Sequence, residues 1–219
     1  MILFGPISAD LRQDMTWRPG LFDGRPLRIA RVSFTGDLSF ELSVDCSAGD
    51  SLLHELLSAG DTLGARLIGV EALSVLRMEK GYIMTGKDTD GETMPHDLGF
   101  SGPRKRKKAA FVGDRSLRSA LAESPDRKQL TGLQVPDGAL PLPVGAHIVE
   151  YREGRRFSVG YVTSSTFSPA LGRPVALGLV EAAASRTGQM LAAWHMGEEV
   201  PVMLAPPTAF DPEGSRLDA

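Results

Sequence analysis

Arg28-Ile29-Ala30-Arg31-Val32-Ser33-Phe34-Thr35-Gly36-Asp37-Leu38-Ser39-Phe40-Glu41-Leu42-Ser43-Val44 holds two runs of alternating residues joined at Thr35-Gly36-Asp37, and it reads as a β-hairpin. Side chains alternate across a strand, so Phe40, Leu42 and Val44 share one face while Ser39, Glu41 and Ser43 share the other. Glu41 therefore points away from the apolar layer. A carboxylate fixed on a strand can accept two parallel hydrogen bonds from adjacent N–H donors, as on an Arg fork or an amino-purine-like edge. The same pattern equally describes a Glu facing water on a half-exposed antiparallel sheet.

Outward from this stretch, 219 residues permit two domains, each able to bury a core. With 42% hydrophobic and 23% charged residues the composition is that of a globular protein, and no apolar run has the length to span a bilayer. No membrane partner is expected. The net charge of -3 and pI of about 5.8 provide no general positive field for nucleic acid, which is not an expected partner. Cys46 alone excludes an internal disulfide and any multi-cysteine metal site built by this chain, and the cytoplasm fits best. Met1 to Pro6 does not read as a secretory signal, and the absence of Asn removes every N-glycosylation acceptor.

Arg18 to Arg25, with Pro19, Gly20, Gly24 and Pro26 crowded together, is expected to be a loop leading into the hairpin. Leu52, Leu53, Leu56 and Leu57 recur at helical spacing and predict a helix from about Asp50 to Ser58, with His54 on its surface. A second helix is expected from Gly69 or Val70 to about Glu79, stopping at Gly81. Gly81 to Asp88 comes within one residue of a phosphate loop, but Asp88 stands where a hydroxyl would hold magnesium, and the segment follows a helix. Asp88-Thr89-Asp90-Gly91-Glu92 has its Gly too early for a calcium loop and reads as a solvated turn. Arg104 to Lys108 is the one basic run and reads as solvated surface, or as an attractor for an acidic tail or partner. From Gln129 the texture changes to short β-type runs: Leu130 to Val135, Ala146 to Tyr151, Phe157 to Thr163, Val175 to Val180, Gln189 to His195 and Val200 to Leu204. Such runs predict a small barrel or sandwich, with Ser124-Pro125-Asp126 as linker and Pro206 to Ala219 as a tail packed against a neighbour.

Arg31 to Leu42 resembles the R-x-x-[YF]-T-G-E-x-x-[FYW]-E-[LI] signature of the folate-dependent aminomethyltransferase (glycine-cleavage T-protein) family, with Asp37 for its first Glu. Gly69 to Gly81 resembles the family's G-x-x-A-x-x-x-L-R-x-E-x-G helix, and Met1 to Leu11 its x-x-G-P-x-[SA]-x-x-x-L segment. His96 to Phe100 resembles a loop near the family's active site, although His96 also suits a turn. Phe111 to Leu117, Arg127 to Leu130, Gly160 to Pro169 and Asp211 to Asp218 resemble, more narrowly, the carboxyl end of the α subunit of heterotetrameric sarcosine oxidase.

The resemblance implies an α+β chain: a truncated aminomethyltransferase-type folate-binding domain over 1–124, then a small C-terminal β-barrel and tail over 125–219. It implies tetrahydrofolate as ligand, with Glu41 on the pterin edge, Phe34 close to it and Arg77 helping to hold it. The one-carbon unit of oxidised sarcosine would then become 5,10-methylenetetrahydrofolate, positioning being most of such catalysis. FMN and NAD are implied only in other parts of the holoenzyme, and the partners are the other sarcosine oxidase subunits or a missing N-terminal part. No catalytic or metal-ligating residue is assigned, and the isolated chain is expected to lack turnover, because the family's aspartate near the folate nitrogen has no counterpart here. Phe34 in place of Tyr, and Leu73-Ser74 in place of an Arg-Asp pair, point toward the oxidase branch. The alternative is a noncatalytic folate-binding or structural module of the same superfamily.

Overall fold

The computed structural model describes residues 15–100 and 109–217. The expected basic run at 104–108 and the Met1 to Leu11 segment lie outside the described residues. The chain divides into two compact units, residues 1–76 with 213–219 and residues 77–212, and the cut falls inside a helix.

In the first unit, β1 (Thr16–Phe22), β2 (Arg25–Arg31) and β3 (Phe40–Ser43) form an antiparallel sheet in that order. The expected loop at 18–25 is instead β1 and its turn. Asp23 and Gly24 have φ of 49° and 72°, the double left-handed geometry that a two-residue turn needs to match strand twist. Pro19 is tolerated because β1 pairs on one side only among the described residues. The expected Arg28-to-Val44 hairpin exists, with Arg28 opposite Ser43 and Ala30 opposite Glu41, but its strands are joined by a longer loop over 32–39.

One sheet face carries Phe22, Leu27 and Ile29, which form a small core with Ala48 and Leu52; Phe40, Leu42 and Val44 pack against it. Leu52 belongs to α1 (Gly49–Gly60), preceded by a turn in which the Asp45 side chain accepts from the Ser47 amide at 2.9 Å. His54 lies on the exposed side of α1, as expected, with its ring against the Asp50 carbonyl. Next comes α2 (Val70–Glu79), whose carbonyls at Arg77 and Met78 accept from Tyr82 and Gly81. Gly81 sits at φ 74°, and a Cβ there would lie 2.6 Å from the Pro207 carbonyl carbon.

The second unit is built on a closed antiparallel barrel in the order β4-β7-β6-β5-β8-β9. Its strands are β4 (Lys128–Gln134), β5 (His147–Arg152), β6 (Arg155–Ser168), β7 (Arg173–Glu181), β8 (Met190–His195) and β9 (Glu198–Ala205). All six expected strand regions are present. Ile148, Val159, Val162, Val180, Val202 and Leu204 are at most 1% exposed and fill the interior. Glu153-Gly154 and Met196-Gly197, all with positive φ, close two hairpins. Gly160 lets β6 and β7 approach, since a Cβ there would meet the Leu179 carbonyl oxygen at 2.3 Å. None of the helices among the described residues is long and apolar enough to cross a membrane.

Candidate functional site

Strand alternation places Glu41 and Ser43 on the open face of the first unit's sheet, with Phe40 and Leu42 turned to the core. The Glu41 side chain is exposed and makes no hydrogen bond or ion pair among the described residues. Phe34 is half-buried in the 32–39 loop. That loop is fixed by its own polar side chains: Ser33 Oγ accepts from the Gly36 amide at 2.8 Å, and Gly36 takes φ 84°.

Two further residues of the motif have partners that sequence reasoning missed. Arg31, 5% exposed, donates to the Leu217 carbonyl at 2.8 Å. Asp37, the signature's departure, accepts from Arg216 Nε, and the Leu38 amide donates to the Arg216 carbonyl at 3.0 Å. Arg31 and Asp37 thus clasp residues 216–217 onto the loop that carries Phe34. The remaining tail is equally tied to its own chain. Glu79 O accepts from the amides of Ala209 and Phe210, and Lys80 Nζ donates to Asp211 O at 2.6 Å. Over its described part, the tail from residue 206 is thus bonded within its own chain.

Arg77 lies in the second unit, at the C-terminal end of α2, and is 0% exposed. Its guanidinium donates to Asp88 Oδ2 at 2.5 Å, Ser164 Oγ at 2.9 Å and Tyr82 O at 3.0 Å. No face of it is open to a ligand within that unit. Asp88 is also fully buried and accepts from Thr163 and Ser164 hydroxyls at 2.6 Å and from the Met84 amide at 2.9 Å. Burial alone would raise the Asp88 carboxyl, but the Ser164 and Thr163 hydroxyls, the Met84 amide and the Arg77 charge outweigh it and hold its pKa below the ordinary aspartate value. The phosphate-loop look-alike is therefore closed by a structural carboxylate, and the expected solvated turn holds from Asp90 onward but not at Asp88. Asp90 caps its own turn, accepting from the amides of Glu92 and Thr93, and it also accepts from Tyr161 Oη at 2.9 Å. Burial, then that hydrogen bond, pushes the Tyr161 hydroxyl up to about 12.

A second buried pair is Asp97 with Arg127, whose Nε donates to both carboxylate oxygens at 3.0 Å. The neighbouring His96 bonds the Ala122 carbonyl at 2.8 Å, which fits a turn histidine held in place. Among the described residues there is no group of three or more His, Cys, Asp or Glu side chains arranged to hold a metal. Of the ligand-contact residues expected from sequence, Phe34 and Glu41 share the first unit, and Arg77 belongs to the second.

Comparison with known proteins bears on both units. The family model described as the GCVT N-terminal domain matches residues 6–108, and that of the glycine cleavage T-protein C-terminal barrel domain matches residues 128–211. The chain is 39% identical to a sarcosine oxidase subunit alpha of Rhizobium meliloti (strain 1021), over 85% of this chain and 19% of that protein. It is 38% identical to the same subunit of Corynebacterium sp. (strain P-1), over 97% of this chain and 22% of that protein. The chain thus spans about a fifth of the length of these curated relatives. Among solved structures, the glycine cleavage system aminomethyltransferase T of Bartonella henselae superposes with a TM-score of 0.72 at 28% identity, covering 84% of this chain and 50% of that one.

Proposed function

The chain belongs to the glycine-cleavage T-protein family of aminomethyltransferases, and on that premise we propose that it is the tetrahydrofolate-binding portion of a cytoplasmic sarcosine oxidase α subunit. The observation that carries the reading is the carboxylate of Glu41, unpartnered among the described residues and held by a strand beside the fixed 32–39 loop. A rigid acceptor with two free oxygens suits the amino-amide edge of a pterin, which offers adjacent N–H donors.

Tetrahydrofolate, when bound, supplies two secondary amine nitrogens that take up the methylene carbon of oxidised sarcosine, and both their protons leave with the glycine nitrogen. The protein's part is placement. Glu41 fixes the ring edge, Phe34 gives an apolar contact that cannot compete for hydrogen bonds, and the clasp on Asp37 and Arg31 keeps the loop in position. Arg77 serves indirectly, because its buried bonds to Asp88 and Ser164 fix the end of the family helix. FMN and NAD belong, on this reading, to other parts of the holoenzyme, and the remaining sarcosine oxidase subunits are the partners.

Calorimetric titration with folinic acid tests the reading. Saturable binding by the wild-type chain that disappears in Glu41→Ala is the expected result. A folded chain that takes up no folinic acid, or a Glu41→Ala variant that binds as well as wild type, overturns it.

A further inference from the structure

Building on the folate reading, we propose that the open face of the three-stranded sheet is a slot in which the reduced pterin lies across β2, between the Glu41 carboxylate and the Trp17 indole, with Arg28 receiving the glutamate carboxylates. The cross-strand register sets this out. Glu41 is opposite Ala30, and Ala30 is opposite Trp17, so the three residues form one row across the sheet. Residues directly opposite share a face. Two strand spacings put the Glu41 and Trp17 backbones roughly 10 Å apart. Between them stands only the methyl group of Ala30, which leaves a flat floor for a fused two-ring heterocycle.

Trp17 is 65% exposed, and among the described residues no ring or cation stacks on it. The chain's other indole differs in this respect. Trp194 on the barrel already carries the Arg156 guanidinium 4.3 Å from its ring centroid. A bare indole at one end of a row and a bare carboxylate at the other present complementary halves of a pterin site: a surface to stack on and an acceptor for the ring edge.

The next row on the same face is Ser43, Arg28 and Pro19. Arg28 lies two residues from Ala30, roughly 7 Å along β2, and is exposed without an ion-pair partner among the described residues. A guanidinium there meets the carboxylates that trail from the pterin through the benzoyl group, and it complements the negative charge of that tail.

The test uses the full 219-residue chain with Trp194→Phe, so that Trp17 is the only indole. Folinic acid is titrated by calorimetry and by fluorescence. The slot predicts saturable quenching of Trp17 with the calorimetric Kd. Trp17→Ala should weaken binding about 10-fold, as loss of a stacking ring does, whereas Trp17→Phe stays within about 3-fold. Ala30→Leu fills the floor and should weaken binding by more than about 10-fold, with circular dichroism showing the sheet retained; if that variant unfolds, Trp17→Ala decides. Arg28→Ala should weaken folinic acid about 3-fold and leave unchanged an analogue that lacks the glutamate. Glu41-dependent binding that ignores Trp17→Ala and Ala30→Leu overturns the slot and leaves the folate reading standing. No binding by the wild-type chain overturns both.

Discussion

Among the described residues the first unit's sheet covers one face and leaves the other bare, while the second unit's barrel leaves no edge unpaired and its unit pairs the buried carboxylates of Asp88 and Asp97 with guanidinium groups. In the sheet, Glu41, Arg28 and Trp17 stand without partners among the described residues. In the barrel unit, the carboxylates of Asp88 and Asp97 are each met by a guanidinium and a backbone amide, and even an outer-face indole has its cation. The difference separates side chains bonded into the architecture from side chains that, on the proposed reading, are left for a ligand. It also supplies its own instruments, since the two tryptophans lie one in each unit.

The largest effect expected is on the barrel unit. Asp88→Ala leaves the Arg77 guanidinium, 0% exposed, without its counter-charge, and should cost about 3–5 kcal/mol. Urea unfolding followed by Trp194 emission in a Trp17→Phe background measures it. A loss below about 1 kcal/mol would mean that the pair is not a structural necessity. Gly160→Ala comes next, at about 1–3 kcal/mol, because the new methyl group meets the Leu179 carbonyl oxygen and the β6–β7 spacing must open. The same unfolding assay reads it.

A smaller, pH-dependent effect follows from Asp88. Its carboxyl is depressed in the folded chain relative to about 3.9 in the unfolded one, so the unfolded chain takes up the proton first as pH falls. The stabilisation is fully present above the unfolded value and is lost as pH drops through the folded one. Unfolding free energies measured from pH 6 to pH 2.5 should therefore fall more steeply for wild type than for Asp88→Asn; parallel curves would remove the carboxylate from the account. The smallest effect belongs to the sheet. Glu41→Ala should change stability by no more than about 0.5 kcal/mol while abolishing folinic acid binding, as a ligand residue on a bare face would. A thermal shift well beyond that would give Glu41 a structural task and blur the contrast between the units.

The barrel was legible in the sequence because short β-type runs recur there, divided by Gly and Pro. Its strands run longer than the apolar runs suggest. Polar β6 ends such as Arg155 and Ser168 are drawn into the ladder by pairing with Arg152 and Arg173. In contrast, β1 was hidden by Pro19 and Gly20, although Asp23-Gly24 was available as a hairpin signal. The exposure of Glu41 followed from period-two alternation alone. The burial of Arg77 did not, because Ser164, which shares it with Asp88, lies 87 residues away, and helical periodicity marks a face without saying what packs there. Asp97 and Arg127, 30 residues apart, were invisible for the same reason.

The clasp on the signature loop also has a consequence in time. Arg31 and the carbonyl it holds are separated by 186 residues, and the barrel unit is one continuous stretch lying between them. At a synthesis rate of about 5–20 residues per second, the second partner emerges roughly 10–40 s after the first. The three strands of the sheet are thus the last among the described strands to receive their finishing contacts, and the barrel sequence is complete while the 32–39 loop still waits for its latch.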